Sequence, residues 1–217
     1  MIGAVSGCVG STSGNFGERK MTMTEENNAE LAGVRLTANI TVEKGNLTVT
    51  YRLANSGKST IYVFDRLWEF GPDGNYVEPA SNSYVLLRDD GTLNLVRGIA
   101  ALPRTRRVEM RFIPFATKVE AGDELTGTIE LHEPVEEYNP YFSKLADSKT
   151  EAAKSSQILL TMNYVESSEA LEVKEAPLSG SFNVWSPTLL QDVREVTVGP
   201  RASEIKVARR TDSFERF

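Results

Sequence analysis

Two neighbouring segments near the start of the chain alternate strictly between apolar and polar side chains. Apolar residues occupy every second position of 34–42 and again of 47–53, with polar residues between most of them. A side-chain period of two is typical of β-strands that have one buried face and one solvent-facing side. A glycine-containing turn at 43–46 separates the two segments, so the sequence predicts a β-hairpin.

A second turn, at 55–58, leads from this hairpin into the apolar run at 61–64. We therefore expect a meander in which the third strand continues the hairpin. A sheet of this kind leaves an apolar face uncovered unless a second sheet packs on it. The remainder of the chain is accordingly predicted to supply that second sheet.

Several later segments carry the same strand pattern. An Asp-Gly turn between two apolar runs predicts a hairpin over 83–97. Alternation over 125–131 predicts a half-buried strand, and the highly apolar segment 157–165 predicts a central strand. Shorter strands are expected at 108–112, 182–185 and 193–198.

The turn spacing and a count of about eight to ten strands predict an all-β antiparallel sandwich. It resembles the immunoglobulin-like β-sandwich of bacterial envelope proteins, without the paired cysteines of antibody domains. We expect the sandwich at 31–199, after a disordered leader at 1–30 and before a C-terminal tail at 200–217 with one further edge strand. The short polar segment 143–155 is compatible with a helix and is predicted to cap one end.

Charge and composition exclude several classes of function. The chain of 217 residues has 24 basic and 30 acidic side chains, and this acidic balance argues against a general nucleic-acid binder. No run of about 20 apolar residues occurs, so no helical membrane span is expected. One cysteine cannot form an intrachain disulfide, and one histidine cannot supply a histidine-rich metal site.

The single cysteine follows small residues near the amino terminus, in the sequence Val5-Ser6-Gly7-Cys8. This tetrapeptide resembles the lipobox of bacterial lipoproteins, in which a signal peptide is cut before a cysteine that then carries lipid. The resemblance implies lipidation of Cys8, attachment to a membrane and a periplasmic or cell-surface location in the cell envelope. Because a signal peptide is longer than the stretch before Cys8, this interpretation requires a start upstream of Met1.

The residues that follow Cys8 are rich in glycine, serine, and acidic or amide side chains. They offer few apolar groups to offset the entropy lost on ordering, so this leader is predicted to be disordered. Such a segment suits a tether between a lipid anchor and a folded domain. The alternative is an unstructured leader without lipid, in which case the protein is expected to be cytoplasmic.

No group of residues in the sequence indicates a catalytic centre, a metal site or a cofactor. His132 has the polar parity of its predicted strand, which favours a surface position over the role of a general base. Glu133, Glu136 and Glu137 lack the regular spacing of a calcium loop and are interpreted as a solvated loop. We therefore expect a non-enzymatic protein.

Aromatic residues are concentrated in two groups beside glycine- and proline-containing loops, where sandwich domains display binding residues. The first group lies at 68–76 and the second at 138–142. Convergence of the two groups would form a surface for a ligand or partner. The residues predicted to bind are Trp68, Tyr76, Tyr138, Tyr141 and Phe142. The alternative is that these rings close one end of the core.

Three functions remain open. The first is a non-catalytic, lipid-anchored, extracytoplasmic module that binds a protein or a glycan through loops at one end of the sandwich. The second is a protease-inhibitor-like domain that presents a protruding loop at 134–143. The third is an enzyme built on two carboxylates, whose separation in space the sequence does not reveal. The leader and the strand pattern together favour the first.

Overall fold

The structure is a computed structural model that describes residues 27–102, 108, 110–142, 149–180, 183–188 and 192–211. The regular elements of these residues are all β-strands, which confirms the predicted all-β class. The part of the chain that the structure describes holds no helix suited to crossing a membrane.

The described residues form fifteen strands. They are β1 (Asn27–Leu31), β2 (Val34–Glu43), β3 (Asn46–Asn55), β4 (Ile61–Arg66), β5 (Glu69–Phe70), β6 (Tyr76–Val77), β7 (Tyr84–Leu87), β8 (Thr92–Arg97), β9 (Phe115–Val119), β10 (Glu124–His132), β11 (Val135–Glu136), β12 (Thr150–Glu166), β13 (Val173–Glu175), β14 (Val184–Pro187) and β15 (Arg194–Arg210).

The strands form two main sheets whose apolar faces share one core. The first sheet has the order β1-β2-β3-β10, and the second has the order β11-β15-β12-β4-β9-β14-β13, with β8 on β12 and β7 on β8. Leu36, Val49 and Ile129 of the first sheet share one buried cluster with Leu160 of the second. The predicted sandwich is therefore confirmed. Most pairings are antiparallel, whereas β8 with β12 and β11 with β15 are parallel.

The predicted hairpin is present as β2 and β3. Glu43 pairs with Asn46 at its end, and the two residues between them have positive φ angles of 51° at Lys44 and 80° at Gly45. Two successive positive φ angles define the hairpin turn whose twist matches that of the flanking strands. The alternating burial along β2 and β3 follows from this register.

The predicted meander is wrong, because β4 joins the second sheet. The neighbour of β3 is β10, while β4 lies between β12 and β9. Asn55 holds the crossing: its buried side-chain amide donates to the carbonyl oxygens of Ser59, Val119 and Glu120. The chain therefore changes sheets at the turn that was expected to fold it back onto β3.

Two other local predictions differ from the structure for reasons that lie elsewhere in the chain. The predicted helix is wrong over 150–155, which belongs to β12 and pairs with the end of β15; residues 143–148 lie outside the described residues. Residues 110–112 are not a strand, since the Phe112 amide donates to the Tyr141 hydroxyl rather than to a neighbouring strand. The strand forms after Pro114 instead.

Both expected domain boundaries fall inside strands. Strand β1 begins at Asn27, within the predicted leader, and pairs with β2 along its whole length. Strand β15 continues to Arg210, so residues 200–210 are part of the second sheet rather than a tail. In each case a partner strand supplies the backbone hydrogen bonds. The local sequence pattern does not predict this pairing.

The second sheet is apolar on both faces around its centre. Ile61 and Val63 of β4 face the shared core, whereas Tyr62 and Phe64 belong to a separate buried cluster on the opposite face. Strand β8 is buried at every position. Residues outside the strands, among them Ile99, Ile113 and Leu171, pack on this opposite face and form a third layer there.

Candidate binding surface

A short hairpin of β5 and β6 holds the first aromatic group. Its turn is closed by the Gly71 amide, which donates to the Asn75 carbonyl oxygen at 2.8 Å. The Asp73 carboxylate accepts from the Asn75 backbone and side-chain amides, and these hydrogen bonds lower the pKa of Asp73. The turn places the rings of Phe70 and Tyr76 with their centroids 5.4 Å apart.

Trp68 lies at the centre of this group. Its indole Nε1 donates to the Ile113 carbonyl oxygen at 2.7 Å, so the one polar atom of the ring has a partner. Its centroid lies 4.8 Å from Tyr76, 5.3 Å from Phe112 and 6.0 Å from Phe115, the last in a stacked arrangement. Trp68 is therefore packed by rings from three separate segments and is held in one orientation.

Phe112 connects the two aromatic groups that the sequence indicated. Its ring contacts Tyr141 at 5.6 Å, and its amide donates to the Tyr141 hydroxyl at 3.0 Å. One continuous set of rings results, which is called the aromatic cluster below. It consists of Trp68, Phe70, Tyr76, Phe112, Phe115 and Tyr141.

The outer part of the aromatic cluster is open to solvent. Phe70 is 53% exposed, and Met110, two residues before Phe112, is 45% exposed. Phe115, in contrast, is buried and packs with Leu178 and Val184. The cluster thus has a buried base that fixes it to the domain and an apolar outer edge.

Two of the predicted binding residues make their ring contacts elsewhere. The ring centroid of Tyr138 lies 5.8 Å from that of Tyr84. Tyr138 packs against the buried cluster that contains Tyr84 and Val96. Phe142 lies 4.8 Å beneath the guanidinium of Arg210. Convergence therefore holds for Trp68, Tyr76 and Tyr141 but not for Tyr138 and Phe142. Binding by these residues stays a prediction.

A polar pocket of about 240 Å³ lies beside the aromatic cluster, where β4 and β8 end. Two nearly buried residues of opposite charge line it. The Nη2 atom of Arg97 donates to the Asp65 carbonyl oxygen at 2.7 Å and lies 3.6 Å from Asp65 Oδ2. The Thr117 amide donates to Asp65 Oδ1, and the Arg97 guanidinium lies 5.5 Å over the Tyr51 ring. Both charged groups are thus fixed from several sides.

Burial governs the ionisation of the groups around this pocket. It raises the pKa of the Asp65 carboxyl, an effect that the charge of Arg97 and the hydrogen bond from Thr117 oppose. It also raises the pKa of Tyr51 to about 12. Tyr51 is therefore a neutral ring at neutral pH, and its face is available to the Arg97 cation.

The interpretation of the acidic segment as a solvated loop is wrong for Glu137. Its side chain is buried, and its two carboxylate oxygens accept the backbone amides of Leu87 and Arg210 at 2.7 Å each. Burial raises the pKa of Glu137, while these two hydrogen bonds oppose the change. Glu137 joins β7 to the end of β15, a role that depends on two distant segments.

The segment proposed as an inhibitor loop is paired on both sides over its described part, 134–142. Val135 pairs with Val207 of β15, and Tyr138 exchanges two backbone hydrogen bonds with Val85. No observation on these residues favours insertion into a protease active site, and the inhibitor function stays a prediction.

Of the remaining candidates named from the sequence, the structure describes His132 but not Cys8. His132 is exposed, with Nδ1 lying 2.6 Å from the Asn46 side-chain oxygen. Among the described residues, no group of three or more His, Cys, Asp or Glu side chains could hold a metal ion. Cys8, the predicted lipidation site, lies outside the described residues.

Sequence reasoning missed Phe112, Asp65 and Arg97. A usable signal existed for the last two. Asp65 directly follows the apolar run of β4, and Arg97 ends the apolar run of β8. A charged residue that continues an apolar strand is either exposed at its end or paired inside the protein. The contacts of Arg97 with Asp65 of β4 and with the Tyr51 ring of β3 select the second possibility, and they depend on residues far apart in the chain.

Comparison with known proteins adds little to this geometry. No family model matches the chain, and no curated protein matches it. A solved structure titled as a polysaccharide lyase is similar to it at 12% sequence identity, with a TM-score of 0.23. The match covers 85% of this chain and 35% of that chain. A likeness this weak carries no argument about function.

Proposed function

We propose that this protein is a non-catalytic binding module that recognises a protein partner through the aromatic cluster. The observation that supports the proposal most is the exposed Phe70 ring, which contacts the Trp68 ring at the base of the cluster. Aromatic residues and methionine are enriched at protein interfaces. Anchors of this kind supply much of the binding energy when a partner covers them.

The geometry favours a protein over a glycan at this surface. One face of Trp68 is stacked on Phe115, and the edges or faces of three further rings surround it. The exposed ring, Phe70, carries no hydrogen-bonding group. This edge therefore offers no polar partners to the hydroxyl groups of a sugar, whereas a protein partner needs only a complementary apolar surface.

The aromatic cluster is also pre-organised for binding. The Trp68 indole hydrogen bond, the closed turn before Tyr76 and the Phe112–Tyr141 contact fix its base in the free protein. Side chains that are already ordered lose little conformational entropy when a partner binds. Binding therefore requires ordering of the exposed edge alone.

The membrane tether forms the second part of the proposal. Lipidation of Cys8 would place the domain in the cell envelope, with the following residues as a spacer. Incorporation of an alkyne-labelled fatty acid into the full-length protein, expressed in bacteria from its native upstream sequence, tests this part. Label that persists in the Cys8→Ser variant, or label absent from both proteins, contradicts it.

Site-specific photo-crosslinking tests the binding function. A photoreactive amino acid replaces Phe70 in the full-length protein, and a second protein carries it at Thr126, an exposed residue on the outer face of the first sheet. We expect one discrete protein adduct from position 70 in envelope extracts and none from position 126.

Competition makes this experiment specific. Excess unlabelled wild-type protein should suppress the adduct, whereas excess Phe70→Ser protein should not, because it lacks the exposed ring. Equal suppression by both competitors, or identical adducts from positions 70 and 126, would show that the aromatic cluster is not the binding surface.

A further inference from the structure

The polar pocket beside the aromatic cluster has the composition of a small-ligand site that is separate from the proposed protein-binding surface. Its floor holds the buried residues Asp65 and Arg97, described above. Its rim holds Arg66 and Glu78, which form an ion pair at 2.5 Å and are partly exposed. Asn82 completes the polar lining and donates its side-chain amide to the Thr128 carbonyl oxygen of β10.

Rigid elements from both sheets position these groups. Asp65 and Arg97 come from the ends of β4 and β8, and the Tyr51 ring of β3 lies against the Arg97 guanidinium. The Asn82 hydrogen bond ties the rim to the first sheet. A site built on strand ends keeps its polar groups in place without a ligand, which lowers the entropic cost of binding.

The charge of the pocket selects against ions. Two guanidinium groups and two carboxyl groups line it. An anion is therefore repelled by Asp65 and Glu78, and a cation is repelled by Arg66 and Arg97. A neutral ligand with several hydroxyl groups has no such conflict. Each hydroxyl can accept from a guanidinium and donate to a carboxylate, and hydrogen bonds to charged groups are the stronger ones.

Two further observations fit a small polyhydroxylated ligand. The pocket volume of about 240 Å³ is below the range for drug-sized molecules, which suits one sugar ring. In addition, Nε of Arg97 is buried and has no hydrogen-bond partner among the described residues. A buried polar atom without a partner carries a free-energy cost, and a ligand hydroxyl that accepts from this nitrogen would remove it.

We infer that this pocket binds a neutral hexose ring, with Asp65 and Glu78 as acceptors and Arg66 and Arg97 as donors. The aromatic cluster does not take part, so the inference holds or fails independently of the protein partner proposed above. The pocket would add sugar recognition to a domain that binds protein through a neighbouring surface.

Isothermal titration of the full-length protein with three isosteric sugars tests the inference. The probes are galactose, which is neutral, galacturonate, which is anionic, and galactosamine, which is cationic. Glucose and mannose, each with its charged counterparts, form two parallel series. Each sugar is titrated to about 10 mM. We expect at least one neutral hexose to bind more tightly than its anionic and cationic counterparts. Absence of binding by every neutral hexose, or tighter binding of the charged forms, overturns the inference.

The Glu78→Gln variant tests the role of the pocket without disturbing the core, since the Glu78 side chain is 48% exposed. We expect it to weaken hexose binding about tenfold and to improve binding of the matching uronate, because one negative charge is removed. If Glu78 had only a structural role, the variant would bind hexose and uronate with the same relative affinities as wild type.

The matched control is Glu204→Gln, which removes the acidic partner of another exposed ion pair, with Lys154. It should leave binding of all sugars unchanged. Hexose binding that is equal in wild type and Glu78→Gln, or equally weakened in Glu204→Gln, assigns the sugar to a different place and overturns the inference. Thermal unfolding of both variants verifies that they are folded.

Discussion

The two sheets of this domain bury side chains in different ways. Along β3 of the first sheet, burial alternates, and Thr50 and Arg52 face solvent between buried neighbours. Along β4 and β8 of the second sheet, burial is nearly continuous. The first sheet therefore has one apolar face, whereas the centre of the second is covered on both sides.

This difference locates the candidate sites. The outer face of the first sheet is a solvated surface of threonines and charged residues, and it carries neither the aromatic cluster nor the polar pocket. The aromatic cluster is built from segments that flank β4 and β9 of the second sheet. The polar pocket lies at the ends of β4 and β8, where the Arg97 guanidinium contacts the Tyr51 ring of β3.

The largest expected effect comes from comparing the outward positions of the two sheets. Phe64→Ala should lower the free energy of unfolding by about 3–5 kcal/mol, because it leaves a cavity beneath the third layer. Thr50→Ala, on the outer face of the first sheet, should change it by less than about 0.5 kcal/mol. Urea denaturation measures both. Similar values for the two variants would remove the distinction between the sheets.

A pH dependence should follow from Glu137, which joins β7 and β15. Its pKa is raised above the ordinary value of 4.5 by burial. The folded protein therefore holds this proton more strongly than the unfolded chain, and stability falls as pH rises from 4.5 through the raised pKa. Measured from pH 4 upward, the unfolding free energy of Glu137→Gln should fall less steeply than that of wild type.

The exposed Glu204 supplies the control for this prediction. Its hydrogen bond and ion pair with Lys154 lower the pKa of Glu204, so its contribution is present above the ordinary pKa and disappears as pH falls. The Glu204→Gln variant should therefore keep the wild-type slope above pH 4.5. A Glu137→Gln profile parallel to that of wild type would show that Glu137 does not titrate differently in the folded state.

The smallest effect is expected at the exposed edge of the aromatic cluster. Phe70→Ser should change the free energy of unfolding by less than about 1 kcal/mol, since more than half of the ring is already in contact with water. Calorimetry of the two proteins tests this. A large loss of stability would identify Phe70 as part of the core and remove the main support for a binding surface.

Parts of the candidate surface were accessible from sequence. Trp68, Tyr76 and Tyr141 were identified from their position beside loops, and they do lie in one ring system. Phe112 was not, because it was assigned to a strand whose hydrogen bonds the Tyr141 hydroxyl replaces. That hydroxyl comes from a segment 29 residues away, and no local pattern reveals it.

By itself, the sequence determined the strand class of this protein. A side-chain period of two is a local property of the chain, and it sufficed to predict the β2–β3 hairpin, the inward face of β10 and the all-β class. Only the tertiary structure decided which sheet β4 joins, that residues 150–155 form a strand, and that Asp65 meets Arg97. These outcomes depend on hydrogen-bond partners far away in the chain, whose contributions outweigh the weak preferences of any short segment.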